Sequence, residues 1–161
     1  MQSVKLDRID LEILRELQVD GRITNVDLAK KVGISPPPCL RRVRALESEG
    51  YITGYHAAVS PESLGLSVTV YANVGLNSQS ESDLLAFETV VQDWSEVLEC
   101  HMLAGETDFL LKITSRDWDE YQKFVTTKLT ATPNVAQVKS FLSMRTSKAA
   151  KAMHIKSGLI K

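Results

Sequence analysis

The sequence is poor in cysteine and contains no long apolar run. Its 161 residues include two cysteines, Cys39 and Cys100, without the ligand spacing of a zinc site. This excludes a disulfide scaffold, so we expect two reduced, packed thiols. The N-terminal region lacks the pattern of a signal peptide, and no window approaches the roughly 18 apolar residues of a membrane span. We therefore expect a cytoplasmic protein without membrane contact.

The chain also lacks a net charge of either sign. Its 19 Lys and Arg residues face 20 Asp and Glu residues, for a formal net charge of -1. Taken alone, this balance argues against a simple binder of polyanions. However, residues 1–60 carry 9 basic and 8 acidic side chains, residues 61–143 carry 5 and 12, and residues 144–161 carry 5 basic ones and no acidic ones. The total therefore hides regional differences and does not exclude a nucleic-acid partner.

Three short helices are predicted at the start of the chain, over residues 7–19, 24–33 and 35–49. Apolar residues recur there at helical spacing, and Asp7, Thr24 and Ser35 are suitable N-caps. The third helix begins with three prolines, which are tolerated because the first N–H groups of a helix have no intrahelical partner. Two helices separated by a short glycine-containing turn are typical of a helix-turn-helix.

The third helix carries three arginines within four positions. At 100° per residue, Leu40, Val43 and Leu46 point inward, and the arginines fan outward. Arginine binds phosphate or guanine through two hydrogen bonds, which suits a DNA-reading face. The alternative is that the arginines pair with Glu47 and Glu49 of the same helix. The candidate DNA-binding residues are Ser35, Pro37, Pro38, Arg41, Arg42 and Arg44.

After residue 60 the pattern changes to strands that alternate with longer helices. An alternating stretch over 51–57 first predicts a short strand or wing. Strands follow over 67–76, 97–104, 108–115 and 135–144, with helices beginning at Ser80 and Asp117. The order β-α-β-β-α-β predicts a ferredoxin-like antiparallel sheet with both helices on one face, so that something must cover the other face.

The predicted organisation is thus α+β. A winged helix-turn-helix domain with a short strand linker occupies residues 1–60, and a ferredoxin-like domain occupies 61–144. A basic C-terminal tail over 145–161 could contact phosphate or be solvated. It carries Arg145, Lys148, Lys151, Lys156 and Lys161.

No catalytic or metal-binding constellation is visible. The histidines at 56, 101 and 154 lie in different predicted elements, and there is neither a nucleophile turn nor a phosphate-binding glycine loop. Cys100 and His101 are adjacent in a strand and point to opposite faces of the sheet. We therefore expect a protein that is not an enzyme, with no metal and no cofactor. Gly105 and Asp108 bracket a turn that could be a routine hairpin, with glycine at positive φ and aspartate bonding its own backbone.

Several motifs carry a family resemblance across about residues 6–144. The chain resembles the Lrp/AsnC (feast/famine) family of transcriptional regulators. The motifs in its N-terminal half are Leu6-Asp7-Arg8-Ile9-Asp10, Ile13-Leu14, Asp20-Gly21-Arg22-Ile23, Ser35-Pro36-Pro37-Pro38-Cys39-Leu40, Arg42-Val43-Arg44, Leu46-Glu47 and Gly50-Tyr51-Ile52. Those in its C-terminal half are Glu99-Cys100-His101, Gly105-Glu106-Thr107-Asp108 and Leu110-Leu111-Lys112.

The resemblance implies an amino-acid effector, bound between subunits at the Gly-x-x-Asp turn. Leucine, methionine or a similar amino acid suits this site, because turn N–H groups match an α-carboxylate and an aspartate matches an α-ammonium. The effector-binding candidates are Met102, Leu103, Ala104, Gly105, Thr107 and Asp108. The resemblance also implies a homodimer formed through the sheets, which assembles further into octamers.

The leading hypothesis is a DNA-binding transcriptional regulator of duplex DNA whose promoter binding or assembly state is modulated by a small amino acid, in amino-acid metabolism. The alternative is an amino-acid-binding oligomer whose helical domain contacts protein rather than DNA, because the shape of a helix-turn-helix does not fix its function.

Overall fold

The computed structural model describes residues 6–149 and 152–155, and the chain divides into two compact units. The first unit, which we call the head, extends to Ala58 and takes in the described residues from Lys148 onward. The second unit, which we call the sheet domain, runs from Val59 to Ser147. The boundary between the two units, after Ala58, lies close to the predicted domain boundary after residue 60. The C-terminal segment, predicted as a separate tail, groups with the head.

The head contains the three predicted helices, α1 (Arg8–Val19), α2 (Asn25–Lys31) and α3 (Pro36–Ser48). Asp7 caps α1 in a capping box with Asp10, and the Thr24 side chain accepts a hydrogen bond from the Asp27 N–H at the start of α2. The helices enclose a small core of Ile13, Leu28, Ala29, Val32, Cys39 and Leu46. Within the described residues, no helix has the length and apolar character needed to cross a membrane.

The inner face of α3 differs from the predicted one. Cys39 is fully buried, whereas Leu40, predicted to point inward, is 39% exposed. The buried stripe therefore follows Cys39, Val43 and Leu46, at intervals of four and three residues, so that the helix is rotated from the predicted orientation. Ser35 occupies the N-cap position, but its side chain makes no capping hydrogen bond. The reason is that prolines fill the next three positions and leave no N–H group there to donate.

The segment 51–57, predicted as a short strand or wing, forms no strand in the described residues. Residues 53–60 adopt no helix or strand and are exposed, and Tyr51 and Ile52 form a bend at the end of α3. An extended segment needs a partner to satisfy its backbone groups, and the described chain offers this segment none. One side chain from this region does return to the head, because the Tyr55 hydroxyl donates to Glu47 Oε1 at 2.9 Å.

The sheet domain has the predicted β-α-β-β-α-β order. Its elements are β1 (Val68–Leu76), α4 (Glu81–Gln92), β2 (Val97–Met102), β3 (Phe109–Ser115), α5 (Trp118–Phe124) and β4 (Val135–Leu142). The strands lie in the order β2-β3-β1-β4, and every neighbouring pair is antiparallel. The ferredoxin-like class of this domain and the α+β class of the chain are therefore confirmed.

The predicted helix over 117–129 is divided into α5 and a π-helical turn, Val125–Leu129. Thr126 and Thr127 lie in this turn, and their hydroxyls donate to the carbonyls of Gln122 and Lys123. Threonine hydroxyls that bond carbonyls of the preceding turn compete with regular helical bonding. This competition accounts for the change of helix type, which apolar periodicity does not reveal.

The core of the sheet domain lies between one face of the sheet and the two helices. Val70, Ala72 and Val74 of β1 and Leu111 of β3 are fully buried on this face, against Phe87 and other residues of α4 and α5. On the opposite face, Tyr71 and its β4 neighbour Phe141 are 38% and 53% exposed. The face predicted to need a cover is therefore open in the single chain.

The C-terminal segment packs along α1. Arg15 donates to the Ile155 carbonyl from Nε at 3.2 Å and from a terminal guanidinium nitrogen at 2.9 Å. Gln18 both accepts from the Met153 N–H at 2.6 Å and donates to the Met153 carbonyl at 3.3 Å. The backbone of Met153 and Ile155 is thus held by side chains of α1. The sequence predicted either phosphate contact or a solvated tail, and neither prediction included this packing. Arg145 and Lys148 are exposed, and the remaining tail lysines, Lys151, Lys156 and Lys161, lie outside the described residues.

Candidate nucleic-acid and effector sites

The outward face of α3 carries two unpaired arginines. Arg41 and Arg44 are exposed, and neither makes an ion pair or a side-chain hydrogen bond within the described part of the chain. The alternative pairing with Glu47 and Glu49 is absent from the described residues, and Glu47 instead accepts from Tyr55. Both guanidinium groups therefore keep their donors available to an external partner.

Arg42 does not fan outward as predicted. One terminal guanidinium nitrogen lies 2.8 Å from Asp7 Oδ2 and 2.7 Å from Asp10 Oδ1, and the side chain is only 32% exposed. The physical reason is that the rotation of α3 turns Arg42 toward the start of α1, where two carboxylates attract its charge. Burial opposes ionisation of Asp7, but the Asp10 N–H and the Arg42 guanidinium outweigh it and lower the Asp7 pKa.

The start of α3 presents an apolar contour without backbone donors. Ser35 and Pro37 are exposed and Pro38 is half-buried. The first N–H of the helix belongs to Cys39, and it is already bonded to the Ser35 carbonyl at 3.2 Å. A helix N-terminus ordinarily offers free backbone N–H groups to a phosphate. The start of α3 offers rigid proline rings in their place.

The turn between α2 and α3 depends on a glycine and an asparagine. Gly33 has a φ of 72°, a left-handed conformation that glycine adopts without strain. Asn25, in the first turn of α2, donates from Nδ2 to the Pro36 carbonyl at 2.9 Å. The contact holds the beginning of α3 against α2. Asn25 was absent from the predicted set, because its spacing to Pro36 carries no periodic signal.

The candidate effector residues come together in the connection between β2 and β3. This connection spans Leu103–Asp108 and is longer than the predicted turn. The Leu103 N–H donates to the Asp108 carbonyl at 2.7 Å and closes the loop. Most of these residues are exposed, among them Met102, Leu103, Ala104 and Gly105, whereas Thr107 is buried.

Asp108 has a structural contact that the sequence did not indicate. Its Oδ2 atom accepts from the Leu76 N–H at 2.7 Å, and its own N–H donates to the Val74 carbonyl at 3.0 Å. The carboxylate therefore anchors the turn to the end of β1. Oδ2 serves this anchor, and Oδ1 makes no hydrogen bond or ion pair within the described residues.

Gly105 does not have the role that a routine hairpin would give it. Its φ is outside the left-handed region, and a Cβ built on it meets no atom within 4 Å. Neither backbone strain nor crowding within the chain requires glycine here. The hairpin interpretation is thus wrong for this residue.

Cys100 and His101 point to different sides of the sheet, as predicted. Cys100 is half-buried against the core, and burial raises its pKa to about 11. His101 is exposed and lies 3.3 Å from Glu99 Oε2. Across the described ranges, no group of three or more metal-ligating side chains occurs.

Comparison with known proteins relates both units to one family. Residues 6–53 match a winged helix-turn-helix DNA-binding model, and residues 69–153 match the Lrp/AsnC ligand binding domain. The chain is 50% identical over 147 residues to the leucine-responsive regulatory protein of Rhizobium meliloti strain 1021, covering 91% of this chain and 94% of the relative. Identity to the leucine-responsive regulatory protein of Escherichia coli strain K12 is 42% over 152 residues, covering 94% and 93%.

A solved structure supports the same assignment. The transcriptional regulator of Neisseria meningitidis in complex with L-Met has a TM-score of 0.87 and 36% identity, covering 92% of this chain and 96% of that chain. The motifs, the matching models and this fold agree. The chain belongs to the Lrp/AsnC family of transcriptional regulators, with a DNA-binding helix-turn-helix and the ligand-binding domain of that family.

Proposed function

We propose that the outward face of α3 reads duplex DNA through Arg41 and Arg44, with the proline contour at its start fitting the groove. The observation that carries this proposal is that both arginines are exposed and unpaired within the described residues. The DNA-contacting set is Ser35, Pro37, Pro38, Arg41 and Arg44, and Arg42 is removed from it.

The chemistry of this face suits both positioning and readout. A guanidinium group donates two parallel hydrogen bonds to a phosphate or to O6 and N7 of guanine. Arg41 and Arg44 are three positions apart and share one side of α3, so both reach the same stretch of DNA. Proline rings add apolar contacts to sugars and thymine methyl groups without competing for the donors.

A fluorescence anisotropy titration tests this face, with a duplex selected from a random library by the full-length protein. We expect Arg41→Ala and Arg44→Ala each to weaken binding about tenfold or more, which corresponds to removal of one charge-assisted contact. The matched control is Arg116→Ala in the sheet domain, whose side chain is 71% exposed, and it should bind as the wild type does. Wild-type affinity in both α3 variants would favour a helical domain that contacts protein.

The second part of the proposal is an amino-acid site at the β2–β3 connection. Asp108 Oδ1 accepts hydrogen bonds from the α-ammonium, and the N–H groups of the exposed turn donate to the α-carboxylate. Met102 and Leu103 contact an apolar side chain of the ligand. The complex of the Neisseria relative with L-Met supports an amino acid of this kind. Leucine and methionine are therefore the first ligands to test.

The open space beside Gly105 supports a site at which a ligand approaches the backbone closely. Because its own fold leaves open space at the Cβ position, Gly105→Val should leave thermal unfolding unchanged and obstruct the ligand. Isothermal calorimetry with each of the twenty amino acids measures the binding. The proposal expects heat from at least one amino acid with the wild type and none with the variant. Absence of binding by all twenty to the wild type would eliminate the sensor.

The open face of the sheet supports a homodimer in which two heads act together. Tyr71 and Phe141 lie side by side on it, and exposed aromatic pairs are typical of a subunit interface. A twofold dimer presents two reading helices to a pseudo-palindromic site, and octamers extend this along the DNA. Light scattering of Phe141→Lys should report a smaller assembly than the wild type, and an unchanged mass would place the interface elsewhere.

A further inference from the structure

Arg42 closes a charged network between α1 and α3. Each of the two carboxylates divides its oxygens between two tasks. Asp7 accepts the Asp10 N–H with Oδ1 at 2.9 Å and contacts Arg42 with Oδ2, whereas Asp10 accepts the Asp7 N–H with Oδ2 at 3.0 Å and contacts Arg42 with Oδ1. The capping box therefore fixes both carboxylates before they meet the guanidinium. A fixed pair of acceptors sets the position of the arginine more tightly than two mobile side chains would.

We propose that Arg42 is a positioning residue, which sets the rotation of α3 about its own axis and so directs Arg41 and Arg44 at the DNA. The inference rests on the proposed reading face. Adjacent residues on a helix are 100° apart, so a guanidinium held against α1 at Arg42 places the next arginine on the outward side.

Three apolar side chains of α3 pack in the core of the head. Cys39 and Leu46 are the buried apolar side chains of α3, and Val43 is partly buried. Two other side-chain hydrogen bonds hold other parts of the helix, from Asn25 to the Pro36 carbonyl and from the Tyr55 hydroxyl to the Glu47 carboxylate. The ionic contact of Arg42 lies between them and joins α3 to the start of α1, whereas the other two bonds join α3 to α2 and to the segment that follows α3.

A direct contact between Arg42 and phosphate conflicts with the same geometry. To reach DNA, the guanidinium would have to leave both carboxylates, and Asp10, whose side chain is 10% exposed, would lose its ionic partner and keep only the hydrogen bond from the Asp7 N–H. The two acids would also repel an approaching phosphate. Arg42 thus acts through Arg41 and Arg44 rather than on the DNA itself.

The salt dependence of DNA binding separates the two roles. Each phosphate contact in the complex adds about 0.9 to the slope of log affinity against log salt concentration. Loss of a positioning residue instead adds the cost of orienting α3 on binding, while Arg41 and Arg44 still make their contacts in the complex, so the slope is unchanged. Anisotropy titrations of the full-length protein at several KCl concentrations give the slope. The temperature is chosen so that circular dichroism shows every variant folded, and stoichiometric titration gives the active fraction.

We expect Arg41→Ala to reduce the slope by about 0.9. Arg42→Gln should lower the DNA affinity of the folded protein about tenfold at every salt concentration and leave the slope at its wild-type value. Arg42→Lys should recover part of this affinity, because it restores the charge. A slope reduced by about 0.9 in Arg42→Gln would overturn the inference, because Arg42 would then contact phosphate. Wild-type affinity of the folded variant would also overturn it, because Arg42 would then contribute only stability.

Asp10→Asn keeps Arg42 and provides a test should Arg42→Gln fail to fold. Positioning predicts weaker DNA binding with an unchanged slope, because the anchor is loosened. Direct phosphate binding predicts equal or tighter binding, because a competing carboxylate is neutralised, and that result would overturn the inference. Absence of DNA binding by the wild type would instead remove the proposed reading face, and the inference with it.

Discussion

The head and the sheet domain are stabilised by different kinds of contact. The sheet domain has a core in which four aromatic rings contact one another in the order Phe109, Phe87, Trp94 and Phe124, with ring centroids 4.7 to 6.1 Å apart. The head has a smaller core without aromatic side chains, and polar groups join its helices. Apolar packing is non-directional, whereas ion pairs and hydrogen bonds depend on orientation. We therefore expect apolar substitutions to have the larger effect in the sheet domain and polar substitutions to have the larger effect in the head.

The largest expected effect is in the core of the sheet domain. Leu111→Ala should lower the free energy of unfolding by about 3 kcal/mol, because it leaves a cavity at a fully buried site between sheet and helices. Urea denaturation measures the loss. Leu98→Ala is the matched control on the adjacent strand, since Leu98 is 53% exposed, and it should cost less than about 1 kcal/mol. Equal losses would contradict the account of this core.

In the head, substitution of a residue in the charged network should lower stability more than substitution in an exposed ion pair. Asp10→Ala removes an acceptor of the α1 capping box and one carboxylate of the Arg42 contact, and we expect a loss of about 2 kcal/mol. Glu12→Ala, in the same helix, breaks an exposed ion pair with Arg8 and should change stability by no more than about 0.5 kcal/mol. Head unfolding followed by hydrogen exchange measures both changes. Similar values would mean that the charged network does not stabilise the head.

Acid should weaken the head through the same contact. The Asp7 pKa is lowered in the folded chain, where burial, which raises it, is outweighed by the Asp10 N–H and Arg42. A lowered pKa means that the folded state favours the carboxylate. This stability is complete above the unfolded pKa of about 4, and it is lost as the pH falls through the folded value. Asp7→Asn should lose less stability than the wild type between pH 5 and pH 2, and an identical profile would contradict this assignment.

The smallest expected effect is at the C-terminal segment. Gln18→Ala removes two hydrogen bonds to the Met153 backbone and should cost about 1 kcal/mol or less, because both contacts are exposed. Hydrogen exchange should show faster exchange of the Met153 amide in this variant. Gln92→Ala, in the sheet domain, should leave that amide unchanged. Unchanged protection of Met153 in Gln18→Ala would mean that Gln18 does not hold the segment.

The same contrast explains what the sequence could predict. Caps such as Asp7 and Thr24 act within a few residues, and apolar periodicity marks each helix and strand, so the element order and the fold class followed from local patterns. The matching family models confirmed the function that the motifs implied.

The orientation of individual side chains could not be predicted in this way. Arg41 and Arg42 differ because carboxylates 32 or more positions earlier hold only the second one. Asp108 is likewise engaged by Leu76, 32 positions away, and Met153 by Gln18, 135 positions away. Such contacts depend on how the elements pack, and nothing in the spacing of the residues records them.

We propose that an amino acid bound in the sheet domain changes how the heads bind DNA. Linkage tests it directly: calorimetry measures the affinity for L-leucine and L-methionine with and without a saturating selected duplex, and anisotropy measures the DNA affinity with and without each amino acid. For at least one of them, we expect a change of fivefold or more that is equal in the two experiments, as reciprocity requires. Unchanged affinities of both L-leucine and L-methionine, whether or not DNA is present, would contradict the coupling.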